Sequence, residues 1–135
     1  MKKINVVIYG ATGSIGRSTL SIISKNLDKI NIEGITCNKN IFKLLKIAKS
    51  YNVKKIGFNE KTIHKFNKFD LNKYEVFNDN TKFYSIISKK TDVIIFATSG
   101  LTSLDLLLKI LKSGKIVGIA NKECIITLGT KFISL

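Results

Sequence analysis

At 135 residues, 44% hydrophobic and 24% charged, the chain has the makeup of a folded globular domain, and no apolar run nears the roughly 18 residues of a membrane span. That argues against a disordered or membrane-embedded chain. The formal charge of +14, from 23 basic and 9 acidic residues, favours phosphorylated ligands, but the lysines are scattered among Ile and Asn without interleaved aromatics, which argues against a nucleic-acid surface.

Two lysines precede the apolar residues 4–9, but that run is too short for a secretory signal and no small-residue cleavage site follows, so a cytoplasmic protein is expected. Residues 4–9 (Ile-Asn-Val-Val-Ile-Tyr) are β-branched and almost continuously apolar, which predicts a strand buried on both faces of a parallel sheet. A glycine turn ends it. From Ser14, the apolar residues Ile15, Leu20, Ile22, Ile23 and Leu27 predict a helix. Residues 30–37 read as a second strand. Asn38-Lys39-Asn40 then forms the turn and N-cap of a helix whose apolar face carries Ile41, Leu44, Leu45, Ile47, Ala48 and Tyr51. A short third strand is expected over 53–58.

Residues 59–80 are polar and rich in Lys and Asn, with a short helix predicted at 60–68 and a strand at 74–77. A helix at 81–89, a strongly apolar strand at 92–97, the loop Thr98-Ser99-Gly100 and a helix at 102–112 follow. Gly114 sits where a left-handed residue closes that helix, and 115–120 reads as another buried strand ending at Asn121-Lys122-Glu123. A final apolar segment, 124–135, starts as a helix. Alternating strands and helices predict an α/β fold, a doubly wound parallel sheet of Rossmann-like, dinucleotide-binding type spanning 1–135. Ligands of such sheets bind beyond the carboxyl ends of the strands.

Gly10-Ala11-Thr12-Gly13-Ser14-Ile15-Gly16 lies between a predicted strand and a predicted helix, the setting in which a glycine pattern carries meaning. Gly10 permits the sharp exit from the strand, Gly13 lets the backbone approach a pyrophosphate, and Gly16 lets the helix pack close to the sheet. Amides at the helix start, with the Thr12 and Ser14 hydroxyls, would donate to phosphate oxygens. The spacing G-x-x-G-x-x-G leaves the cofactor open. At the end of the second strand an NAD site usually places Asp or Glu for the ribose 2′-hydroxyl, whereas this chain has Asn38-Lys39-Asn40. Lys39 would neutralise a 2′-phosphate, so NADPH is the expected cofactor.

Asn121-Lys122-Glu123 admits two readings. Lys122 would hold an anionic or carbonyl-bearing substrate while Asn121 and Glu123 fix the cofactor, or the segment is a helix cap. Cys37 and Cys124, with the single His64, show no metal-ligand or disulfide spacing and read as idle thiols. Ser-His-Asp sets and paired catalytic carboxylates are not evident.

Taken in order, GATGSIG at 10–16, Asn38-Lys39-Asn40 and Ala120-Asn121-Lys122-Glu123 resemble the 1-deoxy-D-xylulose 5-phosphate reductoisomerases. The resemblance implies an NADPH-dependent oxidoreductase that rearranges and reduces 1-deoxy-D-xylulose 5-phosphate to 2-C-methyl-D-erythritol 4-phosphate, in the non-mevalonate route to isoprenoids. It implies that Thr12, Gly13, Ser14, Ile15, Asn38, Lys39, Asn40, Asn121 and Glu123 contact NADPH and that Lys122 contacts the sugar phosphate. Asn38 stands where the family pattern leads us to expect glycine. The family's metal-binding Asp-Ser-Glu-His segment, for Mg or Mn, is expected beyond residue 135. The chain is therefore expected to be the cofactor-binding part, inactive alone, of a protein that works as a homodimer without nucleic-acid or membrane partners. Other readings are another NADP-dependent reductase or dehydrogenase, and a non-catalytic dinucleotide-binding module. A semialdehyde dehydrogenase would need a nucleophilic cysteine and a short-chain reductase a Tyr-x-x-x-Lys pair; Tyr51 and Lys55 have that spacing, but at the end of a predicted helix.

Overall fold

The computed structural model describes residues 2–59 and 70–134. Among them, six strands form one parallel sheet in the order β4-β3-β2-β1-β5-β6. These are β1 (Ile4–Tyr9), β2 (Ile30–Thr36), β3 (Lys55–Gly57), β4 (Glu75–Phe77), β5 (Val93–Phe96) and β6 (Ile116–Ile119). The helices are α1 (Ser14–Ser24), α2 (Ile41–Ser50), α3 (Leu104–Leu111) and α4 (Lys122–Leu128), with 3-10 segments at Asn80–Ile86 and Gly129–Ser134. The predicted α/β sheet is thus observed. The helix predicted at 60–68 lies outside the described residues.

Strand β1 explains the layering. Its residues alternate between two cores, Val6 and Ile8 on one side and Val7 and Tyr9 on the other, and all four are buried. A strand apolar at every position must be covered on both faces, because successive side chains point opposite ways. Leu20, Ile23 and Leu44 from α1 and α2 cover the first face; Leu107 and Ile110 from α3, with Phe83 and Ile86, cover the second. From β1 the chain steps outward through β2, β3 and β4, then returns to β5 on the other flank of β1. The strand order therefore reverses between β1 and β5. This reversal opens a crevice at the carboxyl edge of the sheet.

The helix predicted from Ser14 is observed. The strand predicted as buried at 115–120 is instead the edge strand β6, with Ile116 70% exposed, and the helix predicted at 81–89 also needs correction. In α1 the buried positions are Gly16, Leu20 and Ile23, which share one face at helical spacing. Ile15 and Ile22 of the helix, and Leu27 beyond its end, are exposed, by 47%, 64% and 47%. Over 81–89 the chain forms a 3-10 helix, Asn80–Ile86, rather than an α-helix. A period of three brings Phe83 and Ile86 to one side, where both are buried, and 3-10 geometry eclipses such pairs. Two carbonyls of this turn are also claimed by side chains: Tyr9 Oη donates to Phe83 O at 2.7 Å and Lys55 Nζ to Ile86 O at 3.2 Å.

Candidate functional site

The carboxyl edge begins with the turn from β1 into α1. Gly10 has φ of +83°, and a Cβ there would lie 2.6 Å from the carbonyl oxygen of Ala97 at the end of β5. Only glycine combines that dihedral with that approach. The neighbouring strand steadies the turn: Gly10 N donates to Thr36 Oγ1 at 3.1 Å and Ala11 N to Thr36 O at 2.8 Å. A Cβ on Gly16 would lie 2.6 Å from the Ala11 oxygen and closer still to that of Gly10, so glycine lets the first turn of α1 fold onto the strand exit.

Gly13 differs from both. It is the N-cap of α1 with φ of −78°, and a Cβ there would meet only Gly10 O, at an ordinary 3.7 Å. The protein itself does not require glycine at this place. No side chain caps α1, so the amides of Ser14, Ile15 and Gly16 keep their hydrogens for another acceptor. The positive end of the helix dipole adds to their pull on an anion.

Beside this turn runs a cleft of about 350 Å³, within the size range of small-ligand sites. It is lined by Gly10, Thr12 and Gly13 from the turn after β1, by Thr36, Cys37 and Asn38 from the end of β2, by Thr81 and Tyr84 from the 3-10 segment, and by Thr98, Ser103, Asp105 and Lys109 from the loop after β5 and from α3. The predicted turn and the end of the second strand therefore share one cavity. Lys39 and Asn40 are exposed just beyond Asn38, and Asn40 Oδ1 accepts from Lys43 N at 3.1 Å, capping α2 as expected. Burial pushes the Cys37 thiol up to about 12, leaving it protonated and unreactive at neutral pH, in keeping with an idle thiol.

The third predicted segment divides. Asn121 is 1% exposed, and its side chain is occupied: Oδ1 accepts from Cys124 N at 2.9 Å and Nδ2 donates to Gly100 O at 2.8 Å. It caps α4 and ties that helix to the loop after β5. Lys122 and Glu123 are exposed at the same sheet edge and do not line the cleft. Burial, and then the charge of Glu123, raises the Cys124 thiol.

Sequence reasoning missed Thr36, whose hydroxyl and carbonyl hold the glycine turn, and Lys43, whose Nζ donates to Thr12 O at 3.1 Å. It missed the walls at 81–84 and 102–109 as well. Lys43 had a signal, since it is the first lysine of the helix that follows Lys39. Thr81 and Tyr84 had none, because the polar segment before them shows no periodicity.

Comparison with known proteins agrees with this geometry. The family model described as 1-deoxy-D-xylulose 5-phosphate reductoisomerase matches residues 6–129. Reductoisomerases from Pelagibacter ubique and Wigglesworthia glossinidia brevipalpis are 39% and 36% identical over 93% and 98% of this chain, and 33% and 34% of their own length. The chain thus spans about a third of these relatives. The Zymomonas mobilis reductoisomerase in complex with NADPH superimposes with a TM-score of 0.85 at 29% identity, covering 98% of this chain and 36% of that one. A DOX-P reductoisomerase with NADPH, fosmidomycin and magnesium gives 0.85 at 26%, over 97% of this chain and 33% of its own. Aspartate semialdehyde dehydrogenase II of Vibrio cholerae, at 0.50 and 16% identity over 90% of this chain and 32% of its own, shares the fold alone. With the family model covering nearly all of its described core, the chain belongs to the 1-deoxy-D-xylulose 5-phosphate reductoisomerase family.

Proposed function

We propose that this chain is the NADPH-binding domain of a reductoisomerase that converts 1-deoxy-D-xylulose 5-phosphate to 2-C-methyl-D-erythritol 4-phosphate in non-mevalonate isoprenoid synthesis. The observation that carries the proposal is the uncapped start of α1, which follows directly on Gly10, Thr12 and Gly13 in the lining of a cleft at the strand-order reversal. The pyrophosphate belongs at the amides of Ser14, Ile15 and Gly16, with Thr12 and Ser14 hydroxyls beside it, and Gly13 leaves room for its oxygens. Asn38, Lys39 and Asn40 receive the adenosine ribose and its 2′-phosphate. When bound, NADPH supplies a hydride from its nicotinamide ring.

Asn121 contributes by holding the Gly100 loop and α4 in place, which fixes where Lys122 and Glu123 emerge. Lys122 then attracts the sugar phosphate and Glu123 faces the nicotinamide side. The rearrangement also calls for a divalent cation on the substrate oxygens. Among the described residues no group of three or more His, Cys, Asp and Glu side chains could hold one, so we assign this chain no step through a metal. A phosphorylated substrate and a reduced pyridine cofactor fit a cytoplasmic setting. Among the described residues, no helix is long and apolar enough to cross a membrane.

Titrating the folded chain with NADPH and with NADH in a calorimeter tests the proposal. Saturable heat with NADPH, and a preference over NADH, is the expected result. A folded chain that gives no heat with either dinucleotide overturns it.

A further inference from the structure

Helix α2 carries lysines at 43, 46 and 49. Lys46 and Lys49 are exposed, and Lys46 Nζ lies 4.5 Å from the centre of the Phe42 ring on its own helix. Lys43 behaves differently. It is half-buried, its amide is fixed by the Asn40 cap, and its Nζ turns back across the cleft edge to the Thr12 carbonyl at 3.1 Å. The contact joins α2, which follows the strand end where the adenosine ribose belongs, to the turn where the pyrophosphate belongs.

An ammonium has three donors and no acceptor. One of the three goes to Thr12 O, a neutral group, and no described carboxylate pairs with Lys43: the described ion pairs are Lys55 with Glu33 and Lys82 with Asp79. The charge of Lys43 is thus held in place, partly shielded from water, and not cancelled. Lys39 immediately precedes the Asn40 cap and Lys43 lies in the first turn, so two cations flank the start of α2. Asn38, Lys39 and Asn40 bring no carboxylate to offset them.

We propose that Lys43 is a specificity-determining residue, supplying with Lys39 the positive charge that makes this site prefer a dinucleotide bearing a 2′-phosphate. The inference rests on the NADPH reading above. A dianionic 2′-phosphate is met by two cations, of which Lys43 is held in place by Thr12, whereas a 2′-hydroxyl leaves them without an anion, so the pair separates the two cofactors by charge. If Lys43 instead served the pyrophosphate, or merely clamped Thr12, its loss would weaken both cofactors alike.

The test is calorimetric titration of the wild-type chain and of Lys43→Gln, Lys43→Arg and Lys46→Gln with NADPH and NADH. Lys46→Gln removes the same charge from the same helix at an exposed position. We expect Lys43→Gln to weaken NADPH about tenfold and leave NADH within about twofold, Lys43→Arg to retain most of the preference, and Lys46→Gln to resemble wild type. Equal losses for NADPH and NADH, or an undiminished preference in Lys43→Gln, overturn the role of Lys43 while the NADPH reading stands. A folded wild type that binds neither dinucleotide overturns that reading itself.

Discussion

Two turns on the same sheet edge, β1 into α1 and β6 into α4, have the same local design and opposite chemistry. In both, a strand of the parallel sheet ends and a helix begins within a few residues, although β1 is buried on both faces and β6 is an edge strand. At α4 the first-turn amide of Cys124 is taken by Asn121, whose own amide group is spent on Gly100. At α1 the cap is Gly13, which offers no side chain and itself lines the cleft. A cap of the Asn121 kind stabilises a helix by about 1 kcal/mol. Leaving α1 without one forgoes that stability and leaves its first-turn amides open to an anion. The difference teaches that a helix start is a binding element only while its own sequence leaves it unsatisfied.

The two turns should respond to mutation in opposite ways. Gly16→Val has the largest expected effect: its side chain would drive into the Gly10 and Ala11 carbonyls, which cannot yield without moving β1. We expect a loss of about 3 kcal/mol in urea unfolding, and a stable variant would show that the turn is looser than described. Asn121→Ala removes a cap and a bond to the Gly100 loop, and should cost about 1 to 2 kcal/mol while leaving the NADPH dissociation constant within about threefold. A large loss of affinity at unchanged stability would move Asn121 from the supporting structure into direct contact with the cofactor.

A smaller effect comes from the opposite edge, where polar groups are satisfied within the protein. Glu33 is bound by Lys55 Nζ at 3.0 Å and by the Thr91 hydroxyl. Burial alone would raise its carboxyl, but hydrogen bonds from Ser88, Thr91 and Lys55, and the charge of Lys55, outweigh burial and hold it below the usual range. A depressed folded-state value means that the stabilisation is fully present above the unfolded value of about 4.3 and is lost as pH falls through the folded one. Glu33→Gln should therefore be about 1 kcal/mol less stable than wild type at pH 7, with the two unfolding midpoints converging as the pH drops below 4 or so. A gap that stayed constant across that range would contradict the assignment.

These contrasts also show what could be read from the residues alone. The strands were legible because β-branched runs such as 4–9 have one physical solution, burial on both faces of a parallel sheet. The glycine turn was legible because Gly10 and Gly16 answer to sterics within a few residues of themselves. The helix at α1 was legible from its apolar residues but its inward face was not, because Ile15 and Ile22 are apolar yet lie away from the sheet, and only the packing of Gly16, Leu20 and Ile23 decides which side turns inward. The 3-10 turn at 80–86 depends on Tyr9, more than seventy residues earlier, reaching the Phe83 carbonyl. Asn121 suits a cap as well as a ligand contact, and the choice between them needs the position of Gly100. Lys43 was passed over because its partner, Thr12, is 31 residues away in sequence.

Replacing Gly13 by aspartate probes the open helix start most directly. Its dihedrals suit any residue, and the new Cβ would have space. Aspartate is a good N-cap and complements the helix dipole, so the variant should be as stable as wild type or firmer by about 0.5 kcal/mol. Its carboxylate would occupy the phosphate seat and repel the ligand, so calorimetry should show NADPH affinity reduced about 100-fold or more. A Gly13→Asp chain that folds normally and binds NADPH as tightly as wild type would contradict the claim that the α1 amides hold the pyrophosphate.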